Sequence, residues 1–421
     1  MKIELISVGS ELVCGYIRDL NAPLVAAKLT ELGVDVINHT ITGDDSKDLK
    51  FSLKAGSERA DLIIITGGLG PTQDDITRET VANFCNLKLV SDKKSIDHVK
   101  SLVGNIHVQK YVNCLKQTEI PEGSTVIHNA TGTAQGFLVN FSQTNIICLP
   151  GVPSEMKQML EDWVIPYIVR ESEETKRRHT RVVNTFGMSE SLLDEKIQRI
   201  IKPDKSLSYS TLVNNGIVSI RTTLSNTDKI KADSILDNIE EEICRELGEF
   251  VFSKREEALE ETGSDIFKEN SLTLAVAESC TGGLVSDLLT NVQGSSSFLL
   301  GGIVSYSNKI KENLLNVSEE LINEVGVISA EVAKAMASGV RERIQADIGL
   351  AVTGIAGPSG VEDGADKGKP VGLVYVATAI NDNLEFKEYR FFGSRVDIKK
   401  RAANAALNTL RLSLSGKTAK Q

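Results

Sequence analysis

The 421 residues suffice for roughly two or three domains, each burying its own core. Acidic residues outnumber basic ones 57 to 47, a net charge of −10 that argues against a direct nucleic-acid partner. Hydrophobic content of 41% is ordinary for a globular chain, and aromatics at 5% leave the cores to Leu, Ile, Val and Ala. No run of about 18 apolar residues is present, and Met1-Lys2-Ile3-Glu4 reads as a strand rather than a signal peptide. The six cysteines (14, 85, 114, 148, 244 and 280) are scattered without a Cys-x-x-Cys pair. That pattern fits neither a disulfide framework nor a zinc site, and a cytoplasmic protein without a membrane segment is expected.

In chain order, residues 3–8 read as a strand that runs into Gly9-Ser10-Glu11. A helix follows from Asn21, its expected N-cap, to Leu32, stopped by Gly33. Strand 34–41, helix 46–59 and the continuous apolar strand 61–66 come next. This alternation predicts a doubly wound parallel sheet with ligands at the C-terminal strand ends, so the loops Gly9–Glu11, Gly43–Asp45 and Gly67–Asp75 should converge. Helices near 92–104, 106–118 and 154–170, with strands 124–128, 135–140 and 145–149, complete an expected domain over 1–170.

The charged stretch 170–178 reads as a linker. A strand (181–186), a helix (189–201), two strands (207–212 and 216–224) and a helix (229–247) then form a small α+β connector, expected over 171–255, with 248–255 as a hinge. The third domain, 256–421, should open with a helix at Glu256. It continues with strand 272–277, helix 281–291, strand 300–306, helices 308–315, 318–325 and 330–345, strand 347–353, strands 371–379 and 384–392, and helix 395–412. The fold class is therefore α/β.

Within the third domain the apolar run 272–277 stops at Glu278-Ser279-Cys280-Thr281-Gly282-Gly283. A strand, a Gly-rich turn and a helix N-terminus aim N–H groups at one point, which makes Ser279 a candidate nucleophile. A plain turn and helix cap explains the same residues. All five histidines (39, 98, 107, 128 and 179) precede residue 180, which excludes a Ser-His-Asp triad or Cys-His pair built within this domain and leaves Cys280 as a buried neutral thiol. A serine can instead be activated by a lysine whose pKa is lowered. Lys311, at the start of a helix, is the candidate, with Tyr306 as hydrogen-bond donor or proton relay; as surface residues both lysines here, Lys309 and Lys311, would do nothing. Gly294-Ser295-Ser296-Ser297 and Thr353-Gly354-Ile355-Ala356-Gly357-Pro358 offer further hydroxyl and N–H donors, and Arg395 could clamp an anion.

In the first domain Gly67-Gly68-Leu69-Gly70 matches neither a dinucleotide fingerprint nor a P-loop, yet it follows a buried strand and can present amides to phosphates. Asp44, Asp74 and Asp75 are oxygen donors of the kind Mg²⁺ takes beside a diphosphate. Thr72-x-x-Asp75 also reads as a helix cap.

Ala277-Glu278-Ser279-Cys280-Thr281-Gly282-Gly283, Gly294-Ser295-Ser296, Tyr306-Ser307-Asn308, Val352–Pro358 and Lys369-Pro370-Val371-Gly372 together resemble the C-terminal domain of the CinA (competence/damage-inducible) family, which is similar to nicotinamide-mononucleotide (NMN) deamidase. Thr66–Asp75 and Leu149–Met156 resemble the family's other half, which has the molybdopterin-binding fold and looks like a metal-dependent ADP-ribose pyrophosphatase. The resemblance implies a Ser/Lys amidohydrolase in which Ser279 attacks the carboxamide of NMN and Lys311 is general base. Tyr306, Ser296, Thr353, Gly354, Thr281 and Gly282 would assist or bind, and Arg395 would hold the substrate, with no metal or other cofactor for this step. In the N-terminal half it implies ligand contacts from Gly9, Ser10, Glu11, Asn21, Gly67, Gly68, Gly70, Gly132 and Thr133, and a divalent metal, Mg²⁺ or similar, on Asp44, Asp74 and Asp75. Cys14 and Leu20 depart from the commoner residues of the Gly9–Asn21 motif, and the loop 359–369 is longer and more acidic than the family pattern.

The expected partners are small nucleotides, NMN and ADP-ribose, with no nucleic acid, no membrane and a second copy of the chain in a homodimer. Two rival readings stand beside this one. The first is a non-catalytic nucleotide-binding regulator of competence or DNA-damage responses. The second gives the N-terminal half a role in handling a pterin cofactor.

Overall fold

The computed structural model describes residues 1–103, 115–172, 178–202, 206–225 and 227–418. The chain divides into two compact units, Met1–His179 with Ser225–Lys229, and Thr180–Leu224 with Ile230–Gln421. No helix among the described residues is long and apolar enough to cross a membrane.

The first unit is built on β1 (Lys2–Val8), β2 (Asp35–Thr42), β3 (Leu62–Thr66), β4 (Leu89–Ser91), β5 (Glu119–Pro121), β6 (Thr125–Ile127), β7 (Gly136–Phe141) and β8 (Thr144–Leu149). Six of these form one sheet in the order β2-β1-β3-β8-β7-β6, while β4 and β5, absent from the sequence reading, make a separate two-stranded ribbon. The strands β2, β1, β3 and β8 run parallel, and β7 and β6 run antiparallel to their neighbours. Every residue of β3 is buried, because both faces are covered. Ile3, Leu5, Leu62 and Ile64 pack with Val25 and Leu29 on one face; Ile6, Val8, Ile63 and Ile65 pack with Leu49 and Leu53 on the other. The chain leaves β1 for β2 on one side and for β3 on the other, and at this reversal the loops beyond the strand ends open a crevice.

Three local expectations change. Asn21 is the first residue of the helix Asn21–Glu31, not its N-cap. Asp19, two residues earlier, takes the backbone N–H groups of Asn21 (2.9 Å) and Ala22 (3.1 Å) on Oδ1. The helix near 154–170 carries a π-helical turn, Leu160–Val164, between Pro153–Met159 and Ile165–Glu171. Of the expected helix 106–118, residues 106–114 lie outside the described residues, and Lys116–Thr118 is a single 3-10 turn.

In the second unit β9 (Arg178–Phe186), β10 (Leu207–Asn214), β11 (Ile217–Ser225) and β12 (Val251–Ser253) form a sheet in the order β10-β11-β9-β12, with helices Glu190–Ile200 and Lys229–Leu247. The stretch expected to be a hinge thus contributes an edge strand, β12, paired antiparallel to β9. The helix expected at Glu256 begins only at Ser264. Before it, the Glu261 carboxylate takes the Ala258 N–H at 2.8 Å and Thr262 Oγ1 donates to Leu259 O at 2.8 Å, side-chain bonds that compete with helical ones.

A second sheet in this unit joins β13 (Leu274–Glu278), β14 (Leu299–Val304), β15 (Ile348–Gly354), β16 (Leu373–Ile380) and β17 (Asn383–Arg390) in the order β14-β13-β15-β16-β17. The first three are parallel and the last two antiparallel. Side chains alternate along β13. Leu274 and Val276 face Val285, Leu289 and the helix Arg395–Thr418, whereas Ala275 and Ala277 face Leu315, Val332, Ala333 and Ala337.

Candidate active site and a second ligand cleft

The alternation along β13 decides what its last residues meet. Glu278 continues the Leu274/Val276 face and points to the helix Leu284–Thr290; Ser279 continues the alanine face and points to the helix Asn308–Leu315. Glu278 is 1% exposed, and its carboxylate accepts from the N–H groups of Gly283 (2.9 Å), Val285 (3.0 Å) and Ser286 (2.8 Å) and from Ser286 Oγ (2.7 Å). The helix N-terminus expected to serve Ser279 is therefore occupied by a side chain of the chain itself. Sequence reading passed over Glu278; an acidic residue directly ahead of a helix start was the available signal. The Ser279 N–H continues the ladder to Val352 O at 2.9 Å.

Lys311 comes from the first turn of Asn308–Leu315, whose N-cap, Ser307, accepts from the Ile310 N–H. Its side chain is 1% exposed. Nζ donates to Ser305 O at 2.7 Å and to Ser279 Oγ at 3.2 Å. Burial pushes the Lys311 ammonium down to about 8, so the neutral amine is a minority near neutrality and predominates above about 8. The Ser305 carbonyl fixes one N–H direction and leaves the amine aimed at the hydroxyl. Cys280, next in sequence, is buried, and desolvation pushes its thiol up to about 12.

The other predicted residues of this site fall into three groups. Thr281 and Gly282 form the turn itself: Thr281 is fully buried, its Oγ1 has no partner among the described residues, and Gly282 takes φ 63°. Thr353 and Gly354 end β15 beside the turn, with Thr353 Oγ1 donating to Val327 O at 2.7 Å. Arg395 bridges two loops, donating to Gly357 O at 2.6 Å and to the Tyr306 hydroxyl at 3.0 Å, so Tyr306 is held by Arg395 at an exposed rim. Ser296 lies in the turn Ser295–Ser297 ahead of β14, at the opposite end of the sheet from Ser279, because Leu274 pairs with Leu299 and Glu278 with Val304. The long loop 359–369 is anchored. Asp366 accepts from the N–H groups of Val327 and Ile328, and Lys369 Nζ donates to Val325 O, Ile328 O and Asp366.

In the first unit the expected convergence is present. Gly9, Glu11, Asp44, Gly67, Gly68, Gly70, Asp74, Asp75 and Thr133 line one cleft of about 520 Å³. Ser10 braces it: its N–H donates to Asp44 Oδ2 (2.9 Å) and its Oγ accepts from the Asp44 N–H (3.1 Å). Asn21 Nδ2 donates to Gly151 O at 2.8 Å, and Asn21 lines an adjoining cavity of about 460 Å³. Gly132 N–H is held by Asn129 Oδ1 at 2.9 Å, and Asn129 in turn donates to Glu155 at 2.6 Å, which makes Glu155 a cleft residue the motif reading left without a role. Glycine is required at Gly67, where φ is 99° and a Cβ would lie 2.3 Å from Val8 O. Ser7, Asp19 and His39 also meet, but both partners reach the same ring nitrogen, Nε2, and Ser7 is 1% exposed, so they brace β1 rather than form a nucleophile.

Asp75 is largely committed to its own turn, taking Thr72 N–H (2.8 Å) and Oγ1 (2.6 Å) on Oδ2; this is a turn and not the helix cap expected, because the helix starts only at Thr77 with Ile76 as its N-cap. Among the described residues no group of three or more His, Cys, Asp or Glu side chains could by itself hold a metal ion. Asp74 and Asp44 line the same cleft, and a hard cation there would need oxygens from a ligand to complete its shell.

These two units define a mixed α/β protein that joins a molybdopterin-binding-type domain to a second α/β domain in which a buried lysine meets a half-buried serine. Family models agree along the chain: the probable molybdopterin binding domain matches residues 4–170, the damage-inducible protein CinA KH domain 180–253, and the CinA C-terminal domain 256–414. The chain belongs to the CinA family. A CinA-like protein of Dictyoglomus thermophilum is 39% identical over 98% of this chain and 99% of its own. A putative competence-damage inducible protein of Acetivibrio thermocellus is 42% identical over 95% of each. The crystal structure of a CinA protein of unknown function from Thermoplasma acidophilum is 29% identical, covers 40% of this chain and 96% of its own, and has a TM-score of 0.37.

Proposed function

We propose that the protein carries two hydrolytic activities, deamidation of NMN at Ser279 and metal-dependent hydrolysis of ADP-ribose in the N-terminal cleft. The observation that carries the first is the 3.2 Å bond from the buried Lys311 Nζ to Ser279 Oγ. Neutral Lys311 accepts the Ser279 proton as Oγ attacks the carboxamide carbon. The resulting ammonium returns that proton to the departing nitrogen, ammonia leaves, and an ester links Ser279 to the nicotinoyl group. Water, deprotonated by Lys311, then cleaves the ester and releases nicotinate mononucleotide. Arg395 and Tyr306 at the rim suit the substrate's phosphate or ribose. The oxyanion falls to the turn amides of Cys280, Thr281 and Gly282, since Glu278 occupies those at the helix start.

The test is ammonia release from NMN without added metal. Ser279→Ala and Lys311→Ala each lower kcat by about a thousandfold or more. Activity that survives Ser279→Ala moves the nucleophile elsewhere. A folded parent that releases no ammonia removes this reading and favours a nucleotide-binding regulator.

The second activity rests on the cleft of about 520 Å³, where a Gly-rich loop and three aspartates meet. Asp44 and Asp74 would hold a divalent ion, which would supply charge neutralisation for the diphosphate, and the loop amides orient the diphosphate. Formation of AMP from ADP-ribose with Mg²⁺ is the measurement; its absence, with tight binding of a pterin, favours the pterin-handling role.

A further inference from the structure

A charge with no role in the scheme above is bonded to the Gly67–Gly70 loop of the N-terminal cleft. Arg78, in the helix Thr77–Phe84, is fully buried. Its Nη2 donates to Leu69 O at 2.8 Å, while Nε and Nη1 have no partner among the described residues. Gln117, 3% exposed, donates Nε2 to the same carbonyl at 3.4 Å, and its Oε1 also lacks a partner. Leu69 belongs to the Gly67–Gly70 loop and lines the cleft.

A tether on Leu69 O needs only a neutral donor, and the Gln117 amide already supplies one. A guanidinium adds a full positive charge that remains when buried, and burying it without a carboxylate on its free N–H groups is costly. Glu79, Glu119 and Asp75 act on Arg78 through space, but none is hydrogen-bonded to it: Glu79 is paired with Lys116 at 3.0 Å and Asp75 with Thr72. The cleft above needs that charge. Glu11, Asp44, Asp74, Asp75 and Glu155 line it, and no lysine or arginine does so among the described residues. Such a lining repels phosphate, and a cation beneath the loop acts through protein rather than water, where its field is screened least.

We infer that Arg78 is a positioning residue for a phosphate or diphosphate ester in this cleft: it fixes the glycine-rich loop through Leu69 and offsets the acidic lining from below. The inference rests on the ligand reading of the N-terminal cleft given above.

The test is calorimetric titration of the full chain with inorganic pyrophosphate and Mg²⁺ at low and moderate salt, with melting temperatures recorded for each variant. Arg78→Gln weakens pyrophosphate binding by about tenfold and flattens its salt dependence, and Arg78→Lys restores affinity to within about threefold of the parent. A folded Arg78→Gln protein with parental affinity overturns the inference. So does Arg78→Lys binding as weakly as Arg78→Gln, because charge is then not what acts. Should Arg78→Gln fail to fold, the folded Arg78→Lys protein decides against the parent: affinity within about threefold with parental salt dependence supports the inference, and a loss of about tenfold overturns it. A parent that binds no pyrophosphate refutes the ligand reading itself, and the role of Arg78 falls with it.

Discussion

Lys311 sets the pH behaviour of the proposed deamidase. A base must be unprotonated, and burial holds this one at about 8, so kcat/KM for NMN rises with pH to half its plateau near 8. Lys311→Arg, charged at every accessible pH, stays inactive across the profile. The same shift is a stability statement. Below about 8 both folded and unfolded chains hold the proton and the burial penalty is complete; between about 8 and 10.5 the unfolded chain binds more protons, so stability rises with pH. Denaturant titrations of the parent and of Lys311→Met should therefore converge, or the parent gain relative to the variant, over that window. Glu278 acts on the other face of the same strand. Glu278→Gln keeps the volume but loses acceptors for N–H groups at the helix start, and should cost about 1–3 kcal/mol in stability and lower kcat more than it raises KM. Cys280, its thiol pushed up to about 12, should resist alkylation at pH 8 without loss of ammonia release.

At the scale of elements, close approach matters more than propensity. The helix Ala330–Ile344 lies against the alanine face of β13 and against the end of the helix that carries Lys311. Gly339 sits at that second contact, where a Cβ would lie 1.9 Å from Leu315 O. In an open helix Gly→Ala gains up to about 1 kcal/mol, but a backbone overlap of this size costs about 1–3 kcal/mol or more. Gly339→Ala should thus be destabilising by urea unfolding, and its ammonia release should fall because Asn308–Leu315 must shift. A net gain in stability with full activity would show that the contact is looser than 1.9 Å implies.

At the scale of the whole molecule, each of the two compact units carries one site built from its own residues. The proposed activities should therefore separate. Ser279→Ala should abolish ammonia release and leave AMP formation from ADP-ribose unchanged, while Asp44→Ala with Asp74→Ala does the reverse. EDTA should suppress only the ADP-ribose activity, by about a hundredfold or more, since only that step is proposed to use a metal. Loss of both activities in either variant would mean that the sites are coupled.

Read alone, the residue order determined the α/β class, the convergence of the loops at Gly9, Asp44 and Gly67, and the candidacy of Ser279 and Lys311. These signals are local, carried by strand periodicity, by glycines at turns and by the position of every histidine before residue 180. Only the tertiary structure decided which groups meet. It put Lys311 rather than Lys309 against Ser279, gave the helix start to Glu278, seated Arg78 under Leu69, and left Ser296 at the far end of its strand. It also gave the first N–H groups of the helix at Asn21 to the Asp19 carboxylate, with Leu20 at the N-cap, and replaced the helix at Glu256 with turns. The reason is physical: each of these outcomes depends on register between parallel strands or on competition between a side chain and a backbone for one N–H group. Neither is encoded in the spacing of a single segment.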